Sequence, residues 1–174
     1  MKFKQGEMII YGDTGVCRVE DVSVRSLPSG DELCYKLNPL YQSCTIYTPV
    51  EQEQVFMRPV ISEEEANSII DSIPECQYEI CTVKSPRELS GKYDEIIRCF
   101  DCEKLVQLIK SIREKKERLT DKKKKLSAVD ERYMKKAQDM LYGEFAAALG
   151  ISKSHVLEYI KKRNGTDTQT AASV

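Results

Sequence analysis

The sequence predicts an α+β protein, a small closed β-barrel followed by an all-helical domain, and three observations carry that prediction. Short apolar runs with near-alternating polarity crowd the segment from Met8 to Val60, each bounded by Gly, Pro, Asn or Asp. From Ser62 onward, apolar residues instead recur at three and four positions behind helix-start signals. Charge divides in the same place: residues 1–73 carry 6 basic and 12 acidic side chains, whereas residues 74–174 carry 21 and 16.

Met8-Ile9-Ile10-Tyr11 is the first strand, closed by the turn cluster Gly12-Asp13-Thr14-Gly15. Val16 to Arg25 sets Val and Cys among polar residues at a period near two, as a long strand buried on one face requires. Leu27-Pro28-Ser29-Gly30-Asp31 turns the chain. Leu33 to Leu37 and Cys44 to Thr48 follow as strands, with Asn38-Pro39 and Pro49 as breakers that cannot extend a central ladder. Val55-Phe56-Met57 is the last. Closing such short strands into a barrel removes the edges they would otherwise expose.

Ser62-Glu63-Glu64-Glu65 is a capping box, in which hydroxyl and carboxylate each satisfy a backbone N–H of the first turn, and it opens a helix ending before Pro74. Ser85-Pro86-Arg87-Glu88 repeats the signal and leads into Leu89 to Phe100. Asp101 caps Cys102 to Leu119, whose Leu105, Leu108, Ile109 and Ile112 form one stripe. After the polar linker Thr120 to Lys125, Ser127-Ala128-Val129-Asp130 starts a long helix to Leu149, ended by Gly150. Ser152 caps a final helix through about Arg163, and Asn164 to Val174 reads as a disordered polar tail. The resulting division is 1–61, 62–163 and 164–174.

Composition narrows the function class. The uncharged runs are far shorter than the roughly 20 apolar residues of a membrane span, and the basic start Met1-Lys2-Phe3-Lys4 lacks a secretory apolar stretch, so a cytoplasmic protein is expected. Seven scattered cysteines without an export signal read as core residues, not a disulfide framework. Cys99-Phe100-Asp101-Cys102 is a C-x-x-C with Cys76 and Cys81 upstream, but Cys99 ends one expected helix and Cys102 begins another, unlike a zinc knuckle. The lone His155 has no nucleophile or carboxylate partner in view, and Gly12-Asp13-Thr14-Gly15 lacks the spacing and lysine of a phosphate loop. No catalytic residue, metal, cofactor or small-molecule substrate is expected; binding is the better class. Lys104 to Lys136, with 13 basic and 5 acidic residues, suits a polyanion.

Phe145 to Ile160 resembles a helix-turn-helix, with Ala146, Gly150, Ile151, Val156 and Ile160 at its small, turn and core positions and Ser152, Lys153, Ser154 and His155 toward a major groove. Two bundle helices joined by a glycine turn satisfy the same residues. On the first of these readings, residues 145–163 would make the chain a sequence-specific DNA-binding regulator.

Two further segments together resemble the CarD-like transcription regulators, whose N-terminal module is shared with the transcription-repair coupling factor. The first is Phe3-Lys4-x-Gly6-Glu7-x-Ile9-Ile10-Tyr11-x-x-x-Gly15-Val16-Cys17-x-Val19-Glu20. The second is Leu126-Ser127-Ala128-x-Asp130-x-Arg132 with Lys136-Ala137-x-x-Met140-Leu141-x-Gly143-Glu144-Phe145-Ala146. The resemblance implies a Tudor-like or SH3-like barrel that binds the β subunit of bacterial RNA polymerase, and a helical domain that contacts promoter DNA at the upstream edge of the bubble, tuning open-complex stability. It implies polymerase contacts at Arg25 and along Thr45, Ile46, Tyr47 and Pro49, where a strand edge can pair with the partner. The family's wedge tryptophan has no counterpart in a chain without Trp; Leu89 matches its position, with Tyr93 as a nearby substitute. Arg87, Lys92, Arg132, Lys135 and Lys136 are the expected phosphate contacts, binding DNA largely without sequence choice.

Overall fold

A computed structural model describes residues 2–28, 30–83 and 85–165. Strands β1 Met8–Tyr11, β2 Gly15–Leu27, β3 Gly30–Pro39, β4 Ile46–Pro49 and β5 Met57–Pro59 make one antiparallel sheet in the order β4-β3-β2-β1-β5. Helices α1 Glu63–Ser72, α2 Pro86–Ile97, α3 Cys102–Thr120, α4 Ala128–Leu149 and α5 Val156–Arg163 follow. The α+β order is as expected; the closure is not. β4 and β5 stand at opposite edges of an open sheet. They are four and three residues long and each ends in a proline, which has no N–H to donate, so they are poor partners for sealing a barrel. Thr45 falls outside β4, which takes in Pro49 instead, and β5 begins at Met57, where the last strand was expected to end.

Strand pleating gives the sheet two faces. One carries Ile9, Cys17, Val19, Tyr35 and Leu37, which bury with Phe3, Val50 and Met57 as the β lobe's own core. The Tyr35 hydroxyl accepts from the N–H groups of Lys2 and Phe3, both at 3.0 Å, and ties the N-terminal segment over that core. A bulge at Glu20, between the pairs Val19–Leu37 and Asp21–Lys36, keeps apolar residues in phase where β2 runs past β1. The other face is divided along its width. At the β1–β5 end Ile10 and Val16 are buried against Phe100 of the helical lobe; at the β3–β4 end Arg25 and Tyr47 stand exposed.

The starts of α1 to α4 are those read from the sequence. Ser62 with Glu65 and Ser127 with Asp130 form capping boxes, and Ser85 and Asp101 accept from the N–H groups of Glu88 and Lys104. Two ends differ. α2 stops at Ile97, not at Phe100, because Phe100 takes a φ of 50°, which no right-handed helix contains. Ser152 caps no backbone group; residues Lys153–His155 form a 3₁₀ turn, and the Ser152 hydroxyl lies 2.8 Å from Nδ1 of His155. Gly150 ends α4 with a φ of 64°. Of the expected tail, Asn164 and Gly165 form a turn and 166–174 lie outside the described residues. Among the described residues no helix is long and apolar enough to cross a membrane.

The helical core gathers the α3 stripe with Leu89, Tyr93 and Ile97 of α2 and Tyr133, Ala137, Leu141 and Phe145 of α4. One carboxylate sits inside it. Asp130 is fully buried and accepts hydrogen bonds from Tyr93 Oη at 2.8 Å, Lys115 Nζ at 2.9 Å and Ser127 Oγ at 2.7 Å. Burial alone pushes the Asp130 carboxyl up, but these three donors outweigh it and hold the group below its ordinary value. Asp130→Asn is expected to lower stability by about 2 kcal/mol in urea denaturation, since it leaves Lys115 without a countercharge. Because the folded carboxyl is depressed, its contribution is complete above the unfolded value of about 3.9 and is lost as pH falls through the folded one. The stability gap between parent and variant therefore closes in acid.

Candidate functional site

Three surfaces are built on this frame, and a buried junction fixes their relation. Arg58 projects from β5 on the face opposite the β core and forms a bidentate pair with Glu144 of α4, Nη2 to Oε2 at 2.8 Å and Nη1 to Oε1. Its Nε and Nη2 also donate to the Phe100 carbonyl at 3.0 and 2.6 Å. Glu144 is 2% exposed and accepts further bonds from the Ile61 N–H and the Cys102 thiol, both at 3.2 Å. Burial works against the Arg58 charge, yet the Glu144 carboxylate more than offsets it and raises the guanidinium above its ordinary value. Burial, with Glu144 beside it, also keeps the Cys102 thiol protonated far above the usual range. Around this pair, Phe56 stacks on Phe100 with centroids 4.7 Å apart, and Tyr41 Oη donates to the Gly143 carbonyl at 2.9 Å. A Cβ on Gly143 would come within 3.1 Å of the Tyr41 ring, so glycine allows this close approach.

The first exposed surface is the β3–β4 end of the sheet. The Arg25 guanidinium lies over the Tyr47 ring, 3.7 Å from its centroid, and Lys36 pairs with Glu20 at 3.1 Å on the same face. Val50 N–H bonds the Leu33 carbonyl at 2.9 Å; alternation in an antiparallel ladder then turns the N–H and C=O of Tyr47 and the C=O of Pro49 outward. β4 thus presents a short free edge beside a stacked Arg–Tyr pair. Of the five residues expected here, Arg25 and Tyr47 come together, Ile46 is half-buried toward the β core, Pro49 lies at the strand end and Thr45 stands just before it.

The second surface is cationic. Arg132, Lys135 and Lys136 are spaced to share one face of α4, and they line a cleft of about 430 Å³ between the lobes with Lys153, Asp139, Tyr41 and Thr14. Lys136 pairs with Asp13 at 3.1 Å, and Lys153 pairs with Asp139 at 3.0 Å while lying over the Tyr41 ring. Arg132 donates to Ser90 Oγ of α2 at 3.2 Å, on the flank of that helix that also bears the exposed Arg87. Lys92 is exposed on the opposite flank, by helical spacing. Leu89 and Tyr93 are in neither place. Both are buried in the helical core, at 4% and 1% exposure, so the expected wedge position offers no apolar side chain to a partner.

The third surface, the helix-turn-helix candidate, is packed as a bundle. Tyr159 Oη donates to Asn67 Oδ1 at 2.8 Å and Arg163 holds Asp71 at 2.5 and 2.8 Å, fastening α5 to α1. Cys102 begins α3 as expected, whereas Cys99 lies beyond the end of α2 at Ile97; Cys99 is exposed with Lys104 Nζ at 3.2 Å, while Cys102 faces Glu144.

An open sheet edge at one end of the sheet and a cationic cleft on the helical side, joined by a buried junction, give the chain two dissimilar exposed surfaces. Residues 3–61 match the family model of the CarD-like/TRCF RID domain. This stretch of the chain is thus similar to that domain, which supports a transcription-related protein that interacts with RNA polymerase. The CarD-like family is one of non-enzymatic transcription factors. Among curated proteins none matches the chain.

The junction residues Arg58, Tyr41 and Phe56 carry no sequence signal of their own, although Glu144 stands out as one carboxylate in the apolar run Leu141 to Leu149. Arg58→Met is expected to cost about 3 kcal/mol by leaving Glu144 buried and unpaired. Calorimetry is expected to show the single unfolding transition of the parent split into two, as the lobes lose their coupling.

Proposed function

We propose that the chain binds the β subunit of bacterial RNA polymerase through its β lobe and contacts promoter DNA at the upstream edge of the bubble through its helical lobe, so tuning the lifetime of the open complex. The functional division falls at residues 1–61 and 62–163. The observation that carries this reading is the Arg25–Tyr47 stack beside the free β4 edge, within the segment matched to the CarD-like/TRCF RID domain. A strand of the partner can add to β4 by main-chain bonds, while Arg25, held flat by Tyr47, offers a fork to a carboxylate.

Arg132, Lys135, Lys136 and Arg87 supply the DNA contacts on this reading, with Lys92 on a separate flank. They meet phosphates, not base edges, and add affinity without sequence choice. Leu89 and Tyr93 support that face from the core beneath it. The bridge changes transcription by favouring one state: about 1.4 kcal/mol of differential binding to the melted form shifts its population tenfold. Sequence-specific recognition by residues 145–163 is the less favoured reading, because Tyr159 and Arg163 of α5 are engaged with α1.

Immobilised full-length chain is expected to retain the polymerase β subunit, and Arg25→Glu to reduce retention at least about tenfold, as loss of a charged interface anchor does. Arg132→Glu with Lys135→Glu is expected to leave retention intact while shortening open-complex half-life with rising sensitivity to salt. Failure of the parent chain to retain the β subunit overturns the reading. Tight, motif-selective binding to duplex DNA without polymerase supports the alternative.

A further inference from the structure

Four lysines surround a crevice of about 290 Å³ where the end of α3, the turn after it and the first half of α4 meet. Lys116, Lys124, Lys125 and Lys135 line it with Ile112, Leu126 and Met134 as its apolar part, and Glu131 is its one acidic residue. Among the described residues none of these four lysines has an ion-pair partner, whereas Lys36, Lys115, Lys136 and Lys153 each have one. Lys116 lies on the body of α3 and Lys135 on α4, so compensation of the α3 dipole, which acts only at the last turn, accounts for neither.

The turn itself holds the charge in place. Lys123 takes a φ of 56°, and the bonds Lys124 N–H to Leu119 O and Lys123 N–H to Thr120 O, both 2.8 Å, form a Schellman motif with lysine where glycine is usual. A left-handed lysine between cationic neighbours is conformationally unfavourable, and the turn it makes brings the next two residues, Lys124 and Lys125, to the crevice. The site joins uncompensated positive charge to an aliphatic lining.

We propose that this crevice docks an acidic protein segment bearing a bulky aliphatic side chain, which enters between the lysines while flanking carboxylates meet Lys116, Lys124 and Lys125. Charge complementarity selects the acidic partner. The lining selects protein over nucleic acid: it contains no aromatic ring and no arginine on which a base could stack. Lysine heads are strongly hydrated point charges on flexible stems, suited to carboxylates of varied spacing. The crevice shares Lys135 with the proposed DNA face, so its test substitutes only Lys116, Lys124 and Leu126, which that face does not include.

Fluorescence anisotropy of the full-length chain with a labelled peptide Glu-Asp-Glu-Leu-Leu-Glu-Asp measures the site directly, against the same peptide with both leucines replaced by serine and against a dT12 oligonucleotide. The leucine peptide is expected to bind at low salt, and the serine version about tenfold more weakly, as loss of a buried aliphatic group predicts. Lys116→Glu with Lys124→Glu, both exposed positions, is expected to weaken the leucine peptide by a similar factor with the thermal midpoint unchanged. Leu126→Ser is expected to weaken the leucine peptide and leave the serine peptide as it was. Equal affinity for the two peptides overturns the proposal. So does a dT12 oligonucleotide that binds more tightly than the leucine peptide and is lost with the same lysine substitutions, which would make the crevice a polyanion site.

Discussion

The pairing of Arg58 with Glu144 is the constraint on which the arrangement of this molecule depends. A carboxylate within α4, flanked by Leu141, Phe145 and Ala146, is tolerable in the interior only if a cation reaches it. The cation comes from β5, and its remaining donors take up the carbonyl of Phe100. That residue has a φ of 50°, a conformation a bulky side chain holds only when its surroundings insist on it. Here Phe56 stacks on its ring and Arg58 binds its carbonyl, so the β lobe holds the α2–α3 turn in shape. One guanidinium thus fixes a strand, a helix and a turn. Buried ion pairs contribute little net stability against an apolar alternative, but a displaced arrangement that leaves either charge alone is strongly disfavoured. The junction specifies an orientation more than it adds stability.

That orientation explains how one sheet serves two purposes. The face opposite the β core is given over to Ile10, Val16 and Arg58 at the β1–β5 end, where it meets the helices, and to Arg25, Lys36 and Tyr47 at the β3–β4 end, where it meets solvent. The open sheet belongs to the same logic. A sealed barrel would leave β4 no free backbone groups, whereas an edge strand of four residues ending in proline is long enough to pair with a partner and too short to invite indiscriminate aggregation.

Much of this was legible in the sequence, and the parts that were not share a physical cause. Strand and helix positions follow from local patterns, and the caps at Ser62, Ser85, Asp101 and Ser127 follow from side-chain chemistry acting over three residues. Closure of the sheet depends on whether two distant short strands meet, which alternation within each does not encode. The role of Arg58 depends on a carboxylate 86 positions away. Position along the family pattern points to Leu89, but the environment of that side chain is set by Tyr93, Ile97 and the α3 stripe, which pack in the same core. Ser152 has the composition of a cap, yet a neighbouring imidazole takes its hydroxyl. Properties of one element were readable; properties of a pair of elements were not.

The buried position of Leu89 changes what the helical lobe has to offer a melted promoter on the proposed reading. Without an inserted side chain, its contacts are charges on phosphates, individually weak and screened by salt. Weak contacts become effective when they are presented at high local concentration and without a further loss of orientational freedom. A flexible tether between lobes would supply the first only in part and the second not at all. The junction of Arg58, Glu144, Phe56 and Phe100 supplies both, because docking one lobe already fixes where the other lies. On the proposed reading, rigidity at the junction would do for this chain what a wedge residue does locally: it would convert binding energy at the strand edge into a directed contact with DNA, at a distance set by the protein itself.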